Sequence, residues 1–283
     1  MSIRDGIRKR ADGLLGWIVI VWVYVSVYPL VGWRTRRWLR QFHRTESIQT
    51  GMKQTLLFIR HGQTTWNEQQ KLPGQLPGIA LNDKGKRQAA ELAEALKEVP
   101  ISTIISSPLE RAHETAKYIA QGRDLEIQLD PRLMDTDVGL WAGQNYNELS
   151  KNDARWKAYV HDPTVAPEGV ETFPEVQQRA LAAVEHWRSL ESTGPYPAFV
   201  AHADIVKLLI AHYTGLPIER AGSIFIDNAS VSLLEIDPEN IHSVRMIGVG
   251  WSPHPGWLNA LIEKAKKQDT ESDIVQDKAE QKT

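Results

Sequence analysis

From Thr55 to Val249 the chain alternates short apolar runs with longer segments in which apolar residues recur every three or four positions. Runs of four to six residues are too short for helices, so this rhythm implies a sheet covered by helices and hence an α/β domain. Thr55 to Arg60, Thr103 to Ser106 and Ala198 to Ala201 read as strands. Asn82 or Asp83 is placed to cap a helix reaching about Val99, because Ala89, Leu92, Ala93 and Leu96 share one helical face. Further helices are expected after Pro108, over about Pro174 to Leu190, and from Asp204 to Tyr213. Ser223 to Ile226, Val231 to Ile236 and Val244 to Val249 are β-branched or apolar runs expected as closing strands or a hairpin. The architecture these elements predict is a three-layer α/β/α sandwich.

With 283 residues there is room for one such domain and accessory segments at its ends. The absence of cysteine excludes disulfides, thiolate metal sites and thiol catalysis. A formal net charge of -2 gives no general attraction to polyanions, and neither a P-loop nor a dinucleotide-binding fingerprint occurs. Trp141, Trp156, Trp187, Trp251 and Trp257 lack interleaved basic residues, so they read as core or rim packing, and nucleic acid is not expected as a partner. The histidines show no metal-ligand spacing, so no metal is expected.

Gly13 to Trp33 is a run of 21 residues without a charge. As a helix it would span roughly 31 Å, the thickness of a bilayer's hydrocarbon core. Trp17, Trp22, Tyr24, Tyr28 and Trp33 suit membrane interfaces, and basic residues flank both ends. The run exceeds a usual signal-peptide core, and no small-residue cleavage pattern follows it. Its apolar residues surround the helix instead of forming one stripe, which disfavours an interfacial helix. The expectation is an N-terminal transmembrane helix in a single-pass membrane protein. Five arginines after the run against four basic residues before it tip the orientation slightly toward a cytoplasmic catalytic side. The predicted organisation is an anchor over residues 1–40, a polar linker over 41–53, the folded domain over 54–258 and a polar tail over 259–283.

Reactive groups in α/β folds gather at the carboxyl ends of strands. Three motifs fall there: Arg60-His61-Gly62 followed by Gln63-Thr64-Thr65-Trp66-Asn67, Ser106-Ser107-Pro108-Leu109-Glu110-Arg111-Ala112, and His202 after Phe199-Val200-Ala201. In this order, RHGQTTWN, SSPLERAHETA and FVAHAD resemble the signature blocks of the histidine phosphatase (phosphoglycerate mutase-like) superfamily over about residues 53 to 250. The resemblance implies a phosphoglycerate mutase-like fold and hydrolysis of a small phosphomonoester, with His61 as nucleophile and a phosphohistidine intermediate. It also implies a phosphate pocket made by His61 with Arg60, Asn67, Arg111 and His202, working without a cofactor.

Those residue types suit the chemistry. A neutral imidazole can attack phosphorus, and doing so splits hydrolysis into phosphorylation and dephosphorylation. Gly62 lets the backbone approach phosphate closely. Arg60 and Arg111 present planar donor forks that match phosphate oxygens, while His202 and Asn67 add donors. A leaving alkoxide needs a proton, which the family usually takes from a Glu in a block matching Arg132 to Gly143 here. Asp135 stands where that Glu is expected, with Asp137 as the alternative. Asp204, after His202, reads as a carboxylate capping the next helix.

Two other functions compete. A mutase of the same superfamily is disfavoured because Asp135-Thr136-Asp137-Val138-Gly139 lacks the Arg and Tyr of the usual Glu-Arg-x-Tyr-Gly block. A non-catalytic membrane-tethered binding module would have to retain the nucleophile, both arginines and the second histidine without using them.

Overall fold

A computed structural model of the chain describes residues 52–237 and 244–255. The expected membrane span, most of the linker and the polar tail lie outside the described residues. Among those described, no helix is long and apolar enough to cross a membrane.

The described residues form a mixed six-stranded sheet with helices packed on both faces. In chain order its strands are β1 (Gln54–Arg60), β2 (Thr103–Ser106), β3 (Ile127–Leu129), β4 (Pro197–Ala201), β5 (Val231–Ile236) and β6 (Val244–Trp251). Across the sheet they lie in the order β3-β2-β4-β1-β5-β6, parallel from β3 to β1 and antiparallel from β1 to β6. The main helices are α1 (Thr65–Glu68), α2 (Asp83–Ala95), α3 (Glu110–Ala120), α4 (Tyr146–Asn152), α5 (Ala154–His161), α6 (Phe173–Arg188) and α7 (Ala203–Thr214).

Alternation along the strands decides which helices cover which face. Leu56 and Phe58 of β1, Ile105 of β2 and Phe199 of β4 face α6 and α7, where Val176, Ala180, Ile205 and Leu209 meet them. Leu57 and Ile59, Ile104 and Val200 face the other way, onto Leu92 of α2 and Ala112, Ala116 and Ile119 of α3. The central strands are buried on both faces and therefore read as unbroken apolar runs. The three-layer arrangement follows.

The strands that carry the motifs are neighbours. Arg60 pairs with Ala201 and Ser106 with Val200, so β1, β4 and β2 end side by side at one edge. The ladder runs one residue further, with the His61 amide donating to Ala201 O and the Ser107 amide to Val200 O, each within 3.0 Å.

Other parts of the chain depart from the sequence pattern. Ser223 to Ile226 is not a strand: a 3₁₀ turn covers Ile218–Ser223, and the Ile226 carbonyl accepts from Arg60 Nη1 at 2.7 Å in place of a ladder bond. Strand β3 and helices α4 and α5 were not visible in the pattern. The two helices are short and rely on Asn145 and Asp153, whose side chains accept from the backbone amides of the following first turns. Trp141 and Trp156 pack edge-to-face in the core at 5.1 Å, whereas Trp251 is half exposed.

Gly85 explains how the first motif is held. It sits in the first turn of α2, where a Cβ would lie 2.0 Å from Gln63 O, and a Cβ on Gly62 would lie 2.5 Å from Gly85 O. Two backbones therefore touch directly behind His61. In an ordinary helix Gly→Ala stabilises by up to about 1 kcal/mol. Here Gly85→Ala should instead destabilise by about 1–3 kcal/mol through overpacking and displace the loop after β1. Thermal unfolding checks this: a midpoint at or above that of the parent chain would refute the contact.

Candidate active site

Arg60 and His61 close β1, His202 follows β4, and Arg111 projects from the first turn of α3, just after β2. The imidazoles of His61 and His202 lie 5.2 Å apart between centroids at 61°, and both are buried. Arg111 is fully buried. One of its terminal nitrogens, Nη2, donates to Gly74 O at 2.8 Å and to Asp135 Oδ2 at 3.0 Å. Among the described residues, the remaining nitrogens of that guanidinium, Nε and Nη1, have no hydrogen-bond partner, nor do Arg60 Nε and His202 Nδ1, the last lying 3.6 Å from Asp135 Oδ2. Leaving a buried donor unmatched costs about 1–3 kcal/mol, so the unmatched nitrogens of two guanidiniums whose charges bear on one imidazole suit an anion as their acceptor.

The nucleophile candidate is oriented by its own backbone. His61 Nδ1 lies 2.7 Å from Gly62 O, and since a carbonyl can only accept, Nδ1 carries the proton. Nε2 is then the unprotonated nitrogen. Burial, reinforced by the Arg111 and Arg60 charges, holds the His61 pKa well below the usual imidazole range, which keeps the ring neutral. The His202 pKa is likewise depressed, by burial first and then by Arg111 and His61. Asn228 Nδ2 and the Ala229 amide both donate to His61 O, at 3.2 and 3.0 Å, and fix the peptide beneath the ring.

Asp135 joins this cluster. Its Oδ2 reaches Arg111 and lies 3.6 Å from His202 Nδ1, while Oδ1 accepts from the Thr136 amide at 3.1 Å. Burial raises its pKa; Arg111 opposes that shift, and the Asp204 charge adds to it. Asp137 is placed differently. Its Oδ1 accepts from the Gly139 amide at 2.9 Å, closing a turn. Of the two acids in the block, only Asp135 meets the arginine and the second histidine.

Asn67 is a helix-capping residue. Its Oδ1 accepts from the Thr64 amide in a capping box around α1, and also from Asn228 Nδ2 at 3.3 Å. That network assigns the amide orientation, leaving the NH2 group as its free-facing donor. Asp204 differs from expectation. It does not cap α7, whose N-cap is His202 with no side-chain cap bond; it pairs with Lys207 at 3.2 Å and approaches Thr136 Oγ1 at 3.4 Å.

Several supporting residues escaped the sequence reading. Ser107 Oγ lies 2.9 Å from His202 Nε2, and Thr115 Oγ1 accepts from the Gly62 amide at 3.1 Å while donating to Arg111 O. Both sit inside the SSPLERAHETA block, so the signal was present without a role attached. Asn228 and Arg179 had no local signal.

Comparison with known proteins bears on this geometry. The model of the histidine phosphatase superfamily (branch 1) matches residues 56–247. A relative from Escherichia coli named "Probable phosphoglycerate mutase GpmB" is 33% identical over 180 residues, covering 62% of this chain and 82% of its own. Among solved structures, a mycobacterial glucosyl-3-phosphoglycerate phosphatase superposes with a TM-score of 0.62 at 29% identity, over 71% of this chain and 100% of that one. The alpha-ribazole phosphatase of Shigella flexneri gives a TM-score of 0.62 at 25% identity, over 71% and 100%.

The depressed histidines make stability depend on pH with a definite sign. Well above about pH 6.5 both rings are neutral, folded or unfolded, and neither makes stability depend on pH. As pH falls below that value the unfolded chain takes up protons that the folded site refuses, so stability is lost until the folded pKa is passed. The slope is about 1.4 kcal/mol per pH unit for each such histidine. Urea unfolding between pH 5 and 6.5 should therefore show a shallower decline for His61→Asn than for the parent. Parallel declines would refute the burial of a neutral ring.

Proposed function

We propose, from the premise that this chain belongs to the histidine phosphatase superfamily (branch 1) and is a phosphatase, that it hydrolyses a small phosphomonoester through a phosphohistidine on His61. The observation that carries this reading is the set of buried guanidinium nitrogens without a hydrogen-bond partner on Arg60 and Arg111, the two cations whose charges bear on the buried His61 ring.

In the proposed reaction, Arg60, Arg111, His202 and the Asn67 amide hold the phosphoryl oxygens, neutralising charge and setting the phosphorus in line with His61 Nε2. Attack forms the N–P bond and breaks the bond to the leaving oxygen. Asp135 supplies the proton to that oxygen; its raised pKa extends the pH range over which the carboxyl still holds one. Water, deprotonated by the resulting carboxylate, then cleaves the phosphohistidine. The side-chain bond from Arg111 to Asp135 supports this role for the shorter acid.

A mutase reading draws on the name of the GpmB relative. The acid block still favours hydrolysis, since Thr136 and Val138 offer no second cationic or phenolic grip. Isomer formation outpacing phosphate release from a phosphorylated sugar acid would reverse that preference. Rapid quenching during turnover of a phosphomonoester panel should trap an acid-labile, base-stable phosphoenzyme that is missing in His61→Ala. Arg111→Ala should lower kcat/KM by about 100-fold or more. Full phosphate release by His61→Ala would end the proposal.

For the uncharged stretch Gly13 to Trp33 we propose a single membrane span, with its length and aromatic residues in support. The full chain should then stay in the membrane fraction through an alkaline carbonate wash, whereas a chain lacking residues 1–40 should be released. Release of the full chain would refute the span.

A further inference from the structure

Residues 135–138, which carry Asp135, belong to neither helix nor strand, so no helix or strand ladder holds the backbone that presents that carboxylate to Arg111. Carbonyls of such a segment must find donors elsewhere or be left to water. Here one side chain reaches the Asp135 carbonyl and two carbonyls just before it, while the Glu171 and Trp141 amides meet those of Asp137 and Val138. Arg179 Nη1 donates to Arg132 O at 2.8 Å and Met134 O at 2.7 Å, and Nη2 to Asp135 O at 2.8 Å. Its Nε and Nη2 also meet the two carboxylate oxygens of Glu171, each at 2.8 Å. A guanidinium has five N–H donors, and these five acceptors engage them all.

The clamp is anchored at both ends. Arg179 lies on α6 between the core residues Val176 and Ala180. Glu171 accepts from the Asp137 amide at 2.8 Å, so the same carboxylate holds the loop beyond Asp135, and Gln75 Nε2 adds a bond to Asp135 O at 2.9 Å. We propose that Arg179, backed by Glu171, is a positioning residue for phosphoryl transfer: it holds the peptide of Asp135 so that the carboxyl can protonate the leaving oxygen while His61 attacks. This rests on Asp135 being the general acid, as proposed above. Arg179 itself touches no reacting atom; its bonds run to the acid's own backbone.

A role confined to holding the fold would depress turnover of all substrates alike. A positioning role would not, because a good leaving group departs without a proton and a poor one cannot. The test compares kcat/KM for phenyl phosphate and p-nitrophenyl phosphate in the full chain, for the parent, Asp135→Asn, Arg179→Gln and Glu171→Gln. Arg179→Gln is expected to lose about 100-fold on phenyl phosphate, as for a catalytic group displaced by about 1 Å, and under about 10-fold on p-nitrophenyl phosphate. Asp135→Asn should shift the ratio in the same direction and further. Glu171→Gln, which keeps an acceptor but removes the charge, should show a smaller shift and covers the case in which Arg179→Gln does not fold. If Asp135→Asn leaves the ratio unchanged, the acid assignment fails and the inference with it. If Asp135→Asn shifts the ratio while Arg179→Gln, or Glu171→Gln in its place, leaves it at the parent's value, the positioning role alone is refuted.

Discussion

The structure of the site depends on a buried arginine. Arg111 has no exposed surface, and taking a guanidinium out of water costs several kcal/mol unless its charge and its N–H groups are met. Only Nη2 is met by the protein, through Gly74 O and Asp135. The cost of the remaining donors has to be offset by the rest of the fold, which helps explain the tightly packed surroundings: Thr115 ties the Arg111 backbone to the Gly62 amide, and Gly62 meets Gly85 backbone to backbone. An anion bound among Arg111, Arg60 and His202 would relieve that cost, so the arrangement that burdens the folded chain is also the one that favours phosphate.

The same charges set the protonation of their neighbours. With Arg60 and Arg111 beside it and burial around it, His61 is held neutral, as a nucleophile requires, and its Nδ1–H bond to Gly62 O turns Nε2 outward. Asp135 is pushed the opposite way. Burial and the Asp204 charge favour its protonated form, against the pull of Arg111. Opposite shifts on two groups in one cluster suit the nucleophile and acid roles proposed for them.

Support for these groups comes from residues distant in sequence. Asn228 braces both His61 O and Asn67 Oδ1, joining the β1 loop to the chain just before β5. Ser107 holds one nitrogen of His202, and Arg179 grips the loop that bears Asp135. Each bond braces a residue of the His61–Arg111–Asp135–His202 cluster or its loop, so precision at the centre is supplied from the layer around it.

The amino-acid sequence by itself determined the alternating pattern of strand and helix, the motif positions at strand ends and the identity of His61, Arg60, Arg111 and His202 as candidates. These are local properties: apolar periodicity reflects burial on one or two faces, and a strand's end is marked where that run meets a charged or small residue. It misassigned Ser223 to Ile226, because an apolar run does not reveal that the Ile226 carbonyl is taken by Arg60. It left Asp135 and Asp137 as alternatives, because two acids one residue apart differ only in which direction their backbone turns them. Tertiary structure separates the two by placing Asp135 against Arg111 and His202 and folding Asp137 back onto Gly139. It also recruited Asn228, which bonds His61 O and Asn67 Oδ1 161 or more residues away, and Arg179, whose carbonyl partners lie 44 or more residues away, separations that leave no trace in a local pattern.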